Sequence, residues 1–535
     1  MYLSKTHPLL AATLLAALGV SACDDRSIGW ERERSVIGPI PLKTQVAYVD
    51  SARDVVISID TAEDRPRVSS YAIGRRAIFA TTTPDRKHLA VITRGEEAVF
   101  EGQRDEDPHL WLIDVSDPGS VPVSYPVGSP FDRLAVSGDG SVAVAYFSGA
   151  GPDAEGFFRN PNEMAVIDLR RPADATNPVL KTVRSFGSVP DGVVLSPPMV
   201  IPGAEDPTPR VFAFVLALNN VTILDATYPT RREVSIRLGQ VGPAVRPREI
   251  VFAPNTATAY LRSDFASDVL EILINADPPA GDTPDQNDYR PALAELGAGG
   301  GPADIAVYDD PWARRFVLAA TPNTREVVII DADTAQFSTV RTPDPIDRVI
   351  LFPNDPDVVP RYALLASIGS RLPRVHVLSL DGITDQLVRP DLRTIELDRP
   401  VLDVLPVPGR ELGMIVHDDD RTVLGLLDVL IGSVSPVQGV GKLDSYAFSP
   451  DGLYLVGATD DVSRVGFLEL DNLHPTDMRL DDLPTSVFSL ANGAVFIDHG
   501  DPYGRATVLA SPDAKRADSH VLTGFLLAGI LDQEL

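Results

Sequence analysis

The chain has 535 residues and a formal net charge of −28, with 47 Lys and Arg against 75 Asp and Glu. Binding to nucleic-acid phosphates needs a basic surface, so this balance excludes a nucleic-acid partner. A single Cys excludes a disulfide framework and a zinc ribbon, while 44% hydrophobic residues are enough to build a large core.

The first 23 residues have the form of an export signal. Lys5 supplies a positive start, and the 13 apolar residues 8–20 are too few to span a bilayer as a helix. The segment ends in Val20-Ser21-Ala22-Cys23, which resembles the lipobox of bacterial lipoproteins. This resemblance implies that a lipoprotein signal peptide, residues 1–22, is removed and that Cys23 is acylated, for example with palmitate. The alternative is an ordinary secretory signal with an incidental Cys.

Acylation at Cys23 implies a lipid-anchored protein of the bacterial cell envelope that faces away from the cytoplasm, such as the periplasm. Asp24 follows the Cys, but the sequence leaves the choice between inner and outer membrane open. Residues 23–42 have mixed charge and no clear period. We therefore predict that they are the lipidated N-terminus and a tether.

From residue 43 to residue 535, short apolar runs alternate with clusters of Pro, Gly, Asn and Asp. This pattern is typical of strands and tight turns. Nine segments share the order apolar strand, turn, apolar strand; residues 134–147 and 446–458 are examples. Counted from turn to turn, the 407 residues between Asp85 and Asn492 make eight steps of about 51 residues. A period near this length, with four strands in each unit, indicates the blades of a β-propeller.

Two local motifs resemble those of known propellers. The turn Phe448-Ser449-Pro450-Asp451-Gly452 and the strand end at residues 328–334 are similar to those of the YVTN-type and Tol-associated periplasmic propellers, which are WD40-like. The resemblance implies an all-β propeller of four-stranded blades but implies no chemistry. The sequence departs from the WD pattern, because Leu112 follows Trp111 and Ala313 follows Trp312.

The pattern and the usual size of propellers give different blade counts. The literal count is nine units plus a three-strand piece at residues 45–73, whereas propellers usually have four to eight blades. We predict seven or eight blades, closed by pairing residues 45–60 with C-terminal strands near residues 522–531. An array of β-sandwiches is the alternative fold, but it would not explain the regular spacing.

The sequence contains none of the spacings HxH, HExxH, GxSxG and Walker A. His88, His417 and His499 lie at or near the ends of second strands, which allows a central metal site built from several blades as a hypothesis. Acidic clusters at residues 105–107, 418–420 and 460–461 could bind Ca²⁺, although acidic turns are normally solvated. No cofactor is predicted.

Two functions follow from these observations. The first is a scaffold that binds a protein or another ligand on one propeller face. The second is a propeller enzyme of the lactonase or quinoprotein type, with a metal or cofactor on the axis. We favour the scaffold, because the sequence shows no convergent set of ionisable side chains, and an assay for bound Ca²⁺ or quinone would discriminate the two.

The longest loops between second and third strands predict the binding face. They are residues 94–108 and 148–162, in two consecutive units, and both combine carboxylates with Phe residues. Long loops without their own secondary structure are often functional, and aromatic side chains supply much of the energy of protein interfaces. A basic or amphipathic protein partner would suit this surface, the alternative being two insertions without a role. The candidate binding residues are Glu96, Glu97, Phe100, Asp105, Glu106, Asp107, Asp153, Glu155, Phe157 and Phe158.

Overall fold

The fold is taken from a computed structural model of the chain. It describes residues 35–96, 105–148, 160, 162–172, 178–183, 189–239, 245–277, 287–355, 358–381, 383, 391–419, 421–438 and 442–527. Residues 1–34, and with them the lipobox and Cys23, lie outside the described residues. In the described ranges, no helix has the length and apolar character needed to cross a bilayer.

Within these ranges, forty strands form ten antiparallel sheets, each made of four consecutive strands. The predicted all-β propeller of four-stranded blades is therefore confirmed. The strands of blades 1–5 are β1 (Val36–Pro41), β2 (Gln45–Asp50), β3 (Val55–Asp60), β4 (Arg67–Ala72), β5 (Ala77–Thr82), β6 (His88–Thr93), β7 (His109–Asp114), β8 (Val123–Pro126), β9 (Arg133–Val136), β10 (Val142–Tyr146), β11 (Glu163–Asp168), β12 (Val179–Val183), β13 (Pro190–Leu195), β14 (Phe212–Ala217), β15 (Asn220–Asp225), β16 (Val234–Arg237), β17 (Arg246–Phe252), β18 (Thr258–Asp264), β19 (Val269–Ala276) and β20 (Tyr289–Leu296).

The second half of the ring repeats this order and ends in two short 3-10 helices, Arg516–Asp518 and Phe525–Leu527. The strands of blades 6–10 are β21 (Asp304–Asp309), β22 (Arg315–Thr321), β23 (Glu326–Asp331), β24 (Gln336–Arg341), β25 (Arg348–Phe352), β26 (Tyr362–Ala366), β27 (Arg374–Ser379), β28 (Leu392–Glu396), β29 (Asp403–Pro406), β30 (Leu412–Val416), β31 (Val423–Asp428), β32 (Ser433–Gln438), β33 (Ser445–Phe448), β34 (Tyr454–Ala458), β35 (Arg464–Glu469), β36 (His474–Arg479), β37 (Ser486–Ser489), β38 (Val495–Asp498), β39 (Arg505–Leu509) and β40 (His520–Thr523).

Side chains in the first turn of several blades explain why the chain reverses there. In blade 9 the Ser449 hydroxyl donates a hydrogen bond to the Asp451 carboxylate (2.5 Å) and accepts one from the backbone N–H of Tyr454 (2.8 Å). Ser137 and Asp139 form the same arrangement in blade 3. A short polar side chain thus satisfies the backbone groups that a turn leaves unpaired.

The hydrophobic core is divided among the interfaces between blades. Ten clusters of buried residues each join two neighbouring sheets, so apolar side chains on both faces of every blade are covered. The cluster between blades 10 and 1 contains Tyr48, Ile57, Phe496 and Phe525. The ring is therefore closed, and it has ten blades.

Three details of the sequence prediction are wrong. The predicted count of seven or eight blades is too low, because the three-strand piece is itself a blade once β1 is added. Residues 45–60 pair with β1 and β4, and β40 pairs with β39, so in the described residues the two ends meet by packing and share no strand. The propeller begins at Val36, inside the segment predicted as a tether.

The strand order defines two faces of the ring. First strands of neighbouring blades, such as β1 and β5, contact each other, and the fourth strands lie at the perimeter. The connections from second to third strands share a face with the connections between blades, and we call it the insertion face. The turns from first to second and from third to fourth strands form the turn face.

A ring of ten blades has a wide centre. Packed sheets lie about 10 Å apart and the strands of one sheet about 4.8 Å apart, which gives a mid-blade radius of about 16 Å and a blade width of about 14 Å. The first strands then stand about 9 Å from the axis. Side chains on different sides of such a channel are too far apart to bind one metal ion together.

Candidate binding face

The two long insertions leave neighbouring blades on the same face. Residues 94–108 join β6 to β7 in blade 2, and residues 147–162 join β10 to β11 in blade 3. The blades share one buried cluster, in which Leu110 of blade 2 lies with Phe131 and Phe147 of blade 3. The bases of both insertions therefore lie side by side on the insertion face.

The base of the blade 2 insertion is a short antiparallel bridge between Glu96 and Glu106, with backbone hydrogen bonds of 3.1 and 2.9 Å. Gly95, beside the bridge, has a positive φ of 74°. A Cβ atom at this position would lie 1.9 Å from the Glu106 carbonyl oxygen. Only Gly fits here, because any side chain would push the two strands of the base apart.

Two Arg residues from the connection between blades 1 and 2 hold this base. The Arg75 guanidinium lies 2.5 Å from the Glu96 carboxylate and 3.7 Å from that of Glu106, and Arg76 lies 3.7 Å from Glu96. The backbone N–H of Arg75 also donates to the Glu106 carboxylate at 2.9 Å. Two of the predicted binding carboxylates are thus paired within the chain and stabilise the loop base.

Asp105 and Asp107 of the predicted set are exposed on this base. The ring of His109 forms a 2.6 Å hydrogen bond with the carbonyl oxygen of Asp107, and Trp111 donates to the Thr93 hydroxyl at 3.1 Å. The remaining predicted residues, Glu97, Phe100, Asp153, Glu155, Phe157 and Phe158, lie outside the described residues. A role of this surface in binding stays a prediction.

A different contact fixes the first residues of the blade 3 insertion. The Asp132 carboxylate, just before β9, accepts hydrogen bonds from the backbone N–H (2.6 Å) and the hydroxyl (3.2 Å) of Ser148. Asp347 in blade 7 and Asp444 in blade 9 use the same geometry to fix the backbone after the second strand. An Asp before the first strand therefore tightens the insertion face in three blades.

The three His residues of the metal hypothesis do not meet. His88 begins β6 on the turn face, whereas His417 and His499 follow β30 and β38 on the insertion face. Second strands do not line the axis, so none of the three points to a shared central site. The hypothesis of a metal bound by these three residues is wrong.

His417 and His499 occupy equivalent positions and make equivalent hydrogen bonds. Nδ1 of His417 lies 3.1 Å from the Pro400 carbonyl oxygen, and Nδ1 of His499 lies 3.0 Å from that of Leu483. Nε2 of His499 also bonds to the Thr507 hydroxyl at 2.9 Å. Both rings hold the preceding connection between blades against the second strand.

A buried polar cluster lies between blades 6 and 7. Nε2 of His376 is 3.0 Å from the Asp344 carboxylate, and Nδ1 is 2.9 Å from the Thr394 hydroxyl. Burial lowers the pKa of His376, while the bond to Asp344 opposes this change. The Arg374 guanidinium holds the pKa of Asp344 below its ordinary value. The cluster is an internal ion pair with a neutral His beside it.

A second buried cluster anchors the long first turn of blade 4 on the turn face. Arg210 has no exposed side-chain surface and lies 2.7 Å from Asp288 and 3.6 Å from the equally buried Asp225. Arg231 contacts the same two carboxylates at 2.6 and 3.2 Å. Burial raises the pKa of the Asp225 carboxyl despite these guanidinium groups.

The described part of the chain brings together no group of three or more His, Cys, Asp or Glu side chains that could hold a metal ion. In the acidic clusters, Asp418 accepts hydrogen bonds from Thr422 and Asp419 pairs with Arg371 at 3.4 Å. Asp461 accepts a hydrogen bond from Thr459. Calcium binding at these clusters stays a prediction.

No protein-family model matches the chain, and the search of curated proteins found no match. Among solved structures, the chain is similar to "Dihydro-heme d1 dehydrogenase NirN in complex with DHE", at 14% identity over 86% of this chain and 80% of the other, with a TM-score of 0.40. A likeness at this level carries no argument about function. The propeller assignment rests on the ten sheets and the ten clusters between them.

Proposed function

We propose that this chain is a membrane-anchored β-propeller lipoprotein that acts as a binding scaffold on the extracytoplasmic side. One observation carries the proposal: β1 enters the ring at the insertion face of blade 1, and the two long insertions leave the same face from the next two blades, 2 and 3. The anchor and the candidate binding loops would then lie on the same side of the ring. The lipobox residues and the resemblance to periplasmic propellers support the same location.

The length of the N-terminal segment limits how far the ring can be from the membrane. Val36 lies thirteen positions after Cys23. At about 3.3–3.6 Å for each extended residue, this segment reaches at most about 45 Å. Two or three acyl chains at Cys23 would hold their end of this segment firmly in the bilayer.

This limit favours one orientation. To bring the turn face to the membrane through the central channel, the segment would have to run about 20 Å between the first strands. Around the outside of the ring, it would have to cross a blade about 14 Å wide and then strands that span about 20 Å. Side chains and loops lengthen this path to roughly the full extended reach. The insertion face can approach the membrane without such extension, so we expect it to face the bilayer and to bind a membrane-associated partner.

The chemistry of the loops suggests a protein partner. Asp105 and Asp107 are exposed on a base that three Arg–Glu ion pairs hold in place, and both insertions carry Phe residues in their sequence. Aromatic side chains surrounded by charged ones are typical of interface centres and rims. A basic or amphipathic protein surface would complement them.

The anchor is tested by replacing Cys23 with Ala. We expect the wild-type chain to incorporate labelled palmitate and to remain in the membrane fraction, and the variant to do neither. Incorporation of label into the variant would contradict the lipid anchor.

The binding face is tested by crosslinking in intact cells. A photoreactive residue at Asp107, on the insertion face of blade 2, is compared with one at Val121, which is 84% exposed on the turn face of the same blade. We expect one discrete adduct from position 107 and none from position 121. Equal adducts from both positions, or none from position 107, would contradict the proposal.

A further inference from the structure

A cavity of about 110 Å³ lies between blades 8 and 9. Its wall is almost entirely apolar, and Leu424 and Val437 of blade 8 face Leu455 and Leu468 of blade 9 across it. Leu443 and the part-exposed Val462 border it on the insertion-face side.

Two facing glycines create this space. Gly457 in β34 pairs directly with Gly466 in β35. A Cβ atom on Gly466 would have only the Gly457 carbonyl oxygen nearby, at 3.7 Å, so the space beside it is open. A Cβ atom on Gly457 would lie 2.7 Å from Leu443, whose side chain uses the room that this Gly leaves.

The repeat shows how unusual this pair is. At the equivalent position of the second and third strands in blades 6, 7, 8 and 10, at least one of the two paired residues carries a side chain that fills the space between that blade and the preceding one. These pairs are Ala319 with Val328, Leu365 with His376, Ile415 with Gly425, and Ile497 with Thr507. Gly425 of blade 8 is itself packed, because a Cβ there would lie 2.8 Å from Val434 and 3.0 Å from His417.

Each Gly inside a strand lowers stability relative to Ala, and an empty apolar cavity lowers it further. Glycines inside strands often mark a place where a ligand approaches the backbone closely. A dry apolar cavity of about 150 Å³ in another protein is known to take up benzene or xenon. The volume of the cavity between blades 8 and 9, about 110 Å³, is of this order.

We propose that the cavity between blades 8 and 9 binds a small apolar group, a single aromatic ring or a short hydrocarbon chain. The mouth is polar: Arg464 and Asp477 form a 2.8 Å ion pair there, and both are about half exposed. The ligand therefore enters past a hydrated rim and buries its apolar part against Gly466. This site does not depend on the anchor or on the partner at the insertion face.

The test uses fluorobenzene as the probe and fluorine NMR as the measurement. We expect saturable binding to the intact chain. Gly466→Val should weaken it at least about tenfold, because the new side chain occupies the space of about two buried methylene groups. Gly192→Val is the matched control, since Gly192 also lies in a strand and a Cβ there meets nothing within 4 Å.

A second variant covers the case in which Gly466→Val does not fold. Leu424→Phe fills the cavity from the opposite wall, in blade 8, and should weaken binding in the same way. The proposal is wrong if the intact chain shows no saturable binding, or if a folded variant that fills the cavity binds as tightly as the control.

Discussion

The seam between blades 10 and 1 offers the sharpest test of how the ring closes. No strand is shared there in the described residues; side chains make the contact, together with a backbone hydrogen bond from the N–H of Ala491 to the carbonyl oxygen of Lys43 (2.8 Å). The Tyr48 hydroxyl donates to the Asp498 carboxylate at 2.7 Å, and the Arg53 guanidinium donates to the Leu526 carbonyl oxygen at 2.6 Å. Phe525 is only 5% exposed, and its ring lies 5.1 Å from that of Tyr48.

Phe525→Ala removes the ring contact that Phe525 makes with Tyr48 of blade 1. A buried Phe→Ala change costs about 3–5 kcal/mol in unfolding free energy. At about 2.1 cal/mol/K for each residue, a domain of about 500 residues has an unfolding entropy near 1 kcal/mol/K. The melting temperature should therefore fall by about 3–5 °C.

The assay is thermal unfolding followed by circular dichroism, with Phe337→Ala as the control. Phe337 lies on the outer strand β24 and is 57% exposed, so its loss should cost less than about 0.5 kcal/mol. If the two variants melt at the same temperature, Phe525 does not close the ring and the seam is held elsewhere.

Three further predictions use the same kind of comparison. Gly95→Ala should destabilise the blade 2 insertion by at least about 1–3 kcal/mol and make it susceptible to limited proteolysis. The control Gly138→Ala should do neither, because a Cβ atom there meets nothing within 4 Å. Equal cleavage of both variants would contradict the close approach at Gly95. Arg210→Ala should lower the free energy of urea unfolding by about 3–5 kcal/mol, because it removes a partner from the buried Asp225 carboxylate. The control Arg341→Ala, at a side chain that is 90% exposed, should change it by less than about 0.5 kcal/mol. Similar losses in both variants would show that the cluster does not stabilise the fold. The pKa of His376 is lowered in the fold, so the folded chain binds fewer protons there than the unfolded chain; the stability that this provides is present above the unfolded pKa of about 6.5 and is lost as the pH falls below it. His376→Gln should therefore flatten the decline of unfolding free energy from pH 7 to pH 5, with the exposed His474→Gln as the control. An unchanged slope in His376→Gln would refute the assignment.

The repeat unit could be predicted from the sequence because each blade contains local signals. Segments such as residues 134–147 and 446–458 combine two apolar runs with a turn of Ser, Asp and Gly, and they form first and second strands of blades 3 and 9. The strand end at residues 328–334 also lies as expected, at the end of the third strand β23. Local pattern was enough for the fold class.

The blade number was missed for a local reason. β1 has the sequence VIGPIP, in which Gly38 and two prolines hide the strand pattern, so it was assigned to the tether. Without β1, residues 45–73 have only three strands, and a fourth strand from the C-terminus is the expected way to complete the blade. Ring closure is a long-range property, and no local signal indicates whether the ends share a strand.

The binding face could be predicted only in part. Loop lengths indicated the two insertions, but not that Arg75 and Arg76 pair with Glu96 and Glu106. Arg75 lies in another connection, 21 positions before Glu96 and 31 before Glu106. The sequence signal of the cavity is that Gly457 and Gly466 interrupt the apolar runs of two strands.

The central claim is that the lipid anchor and the two insertions share a face that is turned toward the membrane. Since Cys23 is the only Cys and is acylated in this account, a second Cys can be labelled uniquely. The lipidated chain is placed in vesicles with an acceptor dye in the headgroups, and a donor dye is attached at position 107 or position 121. These positions lie on opposite faces of blade 2, separated by strand β7 of about 20 Å. We predict clearly more efficient energy transfer from position 107; equal transfer, or more from position 121, would contradict the account.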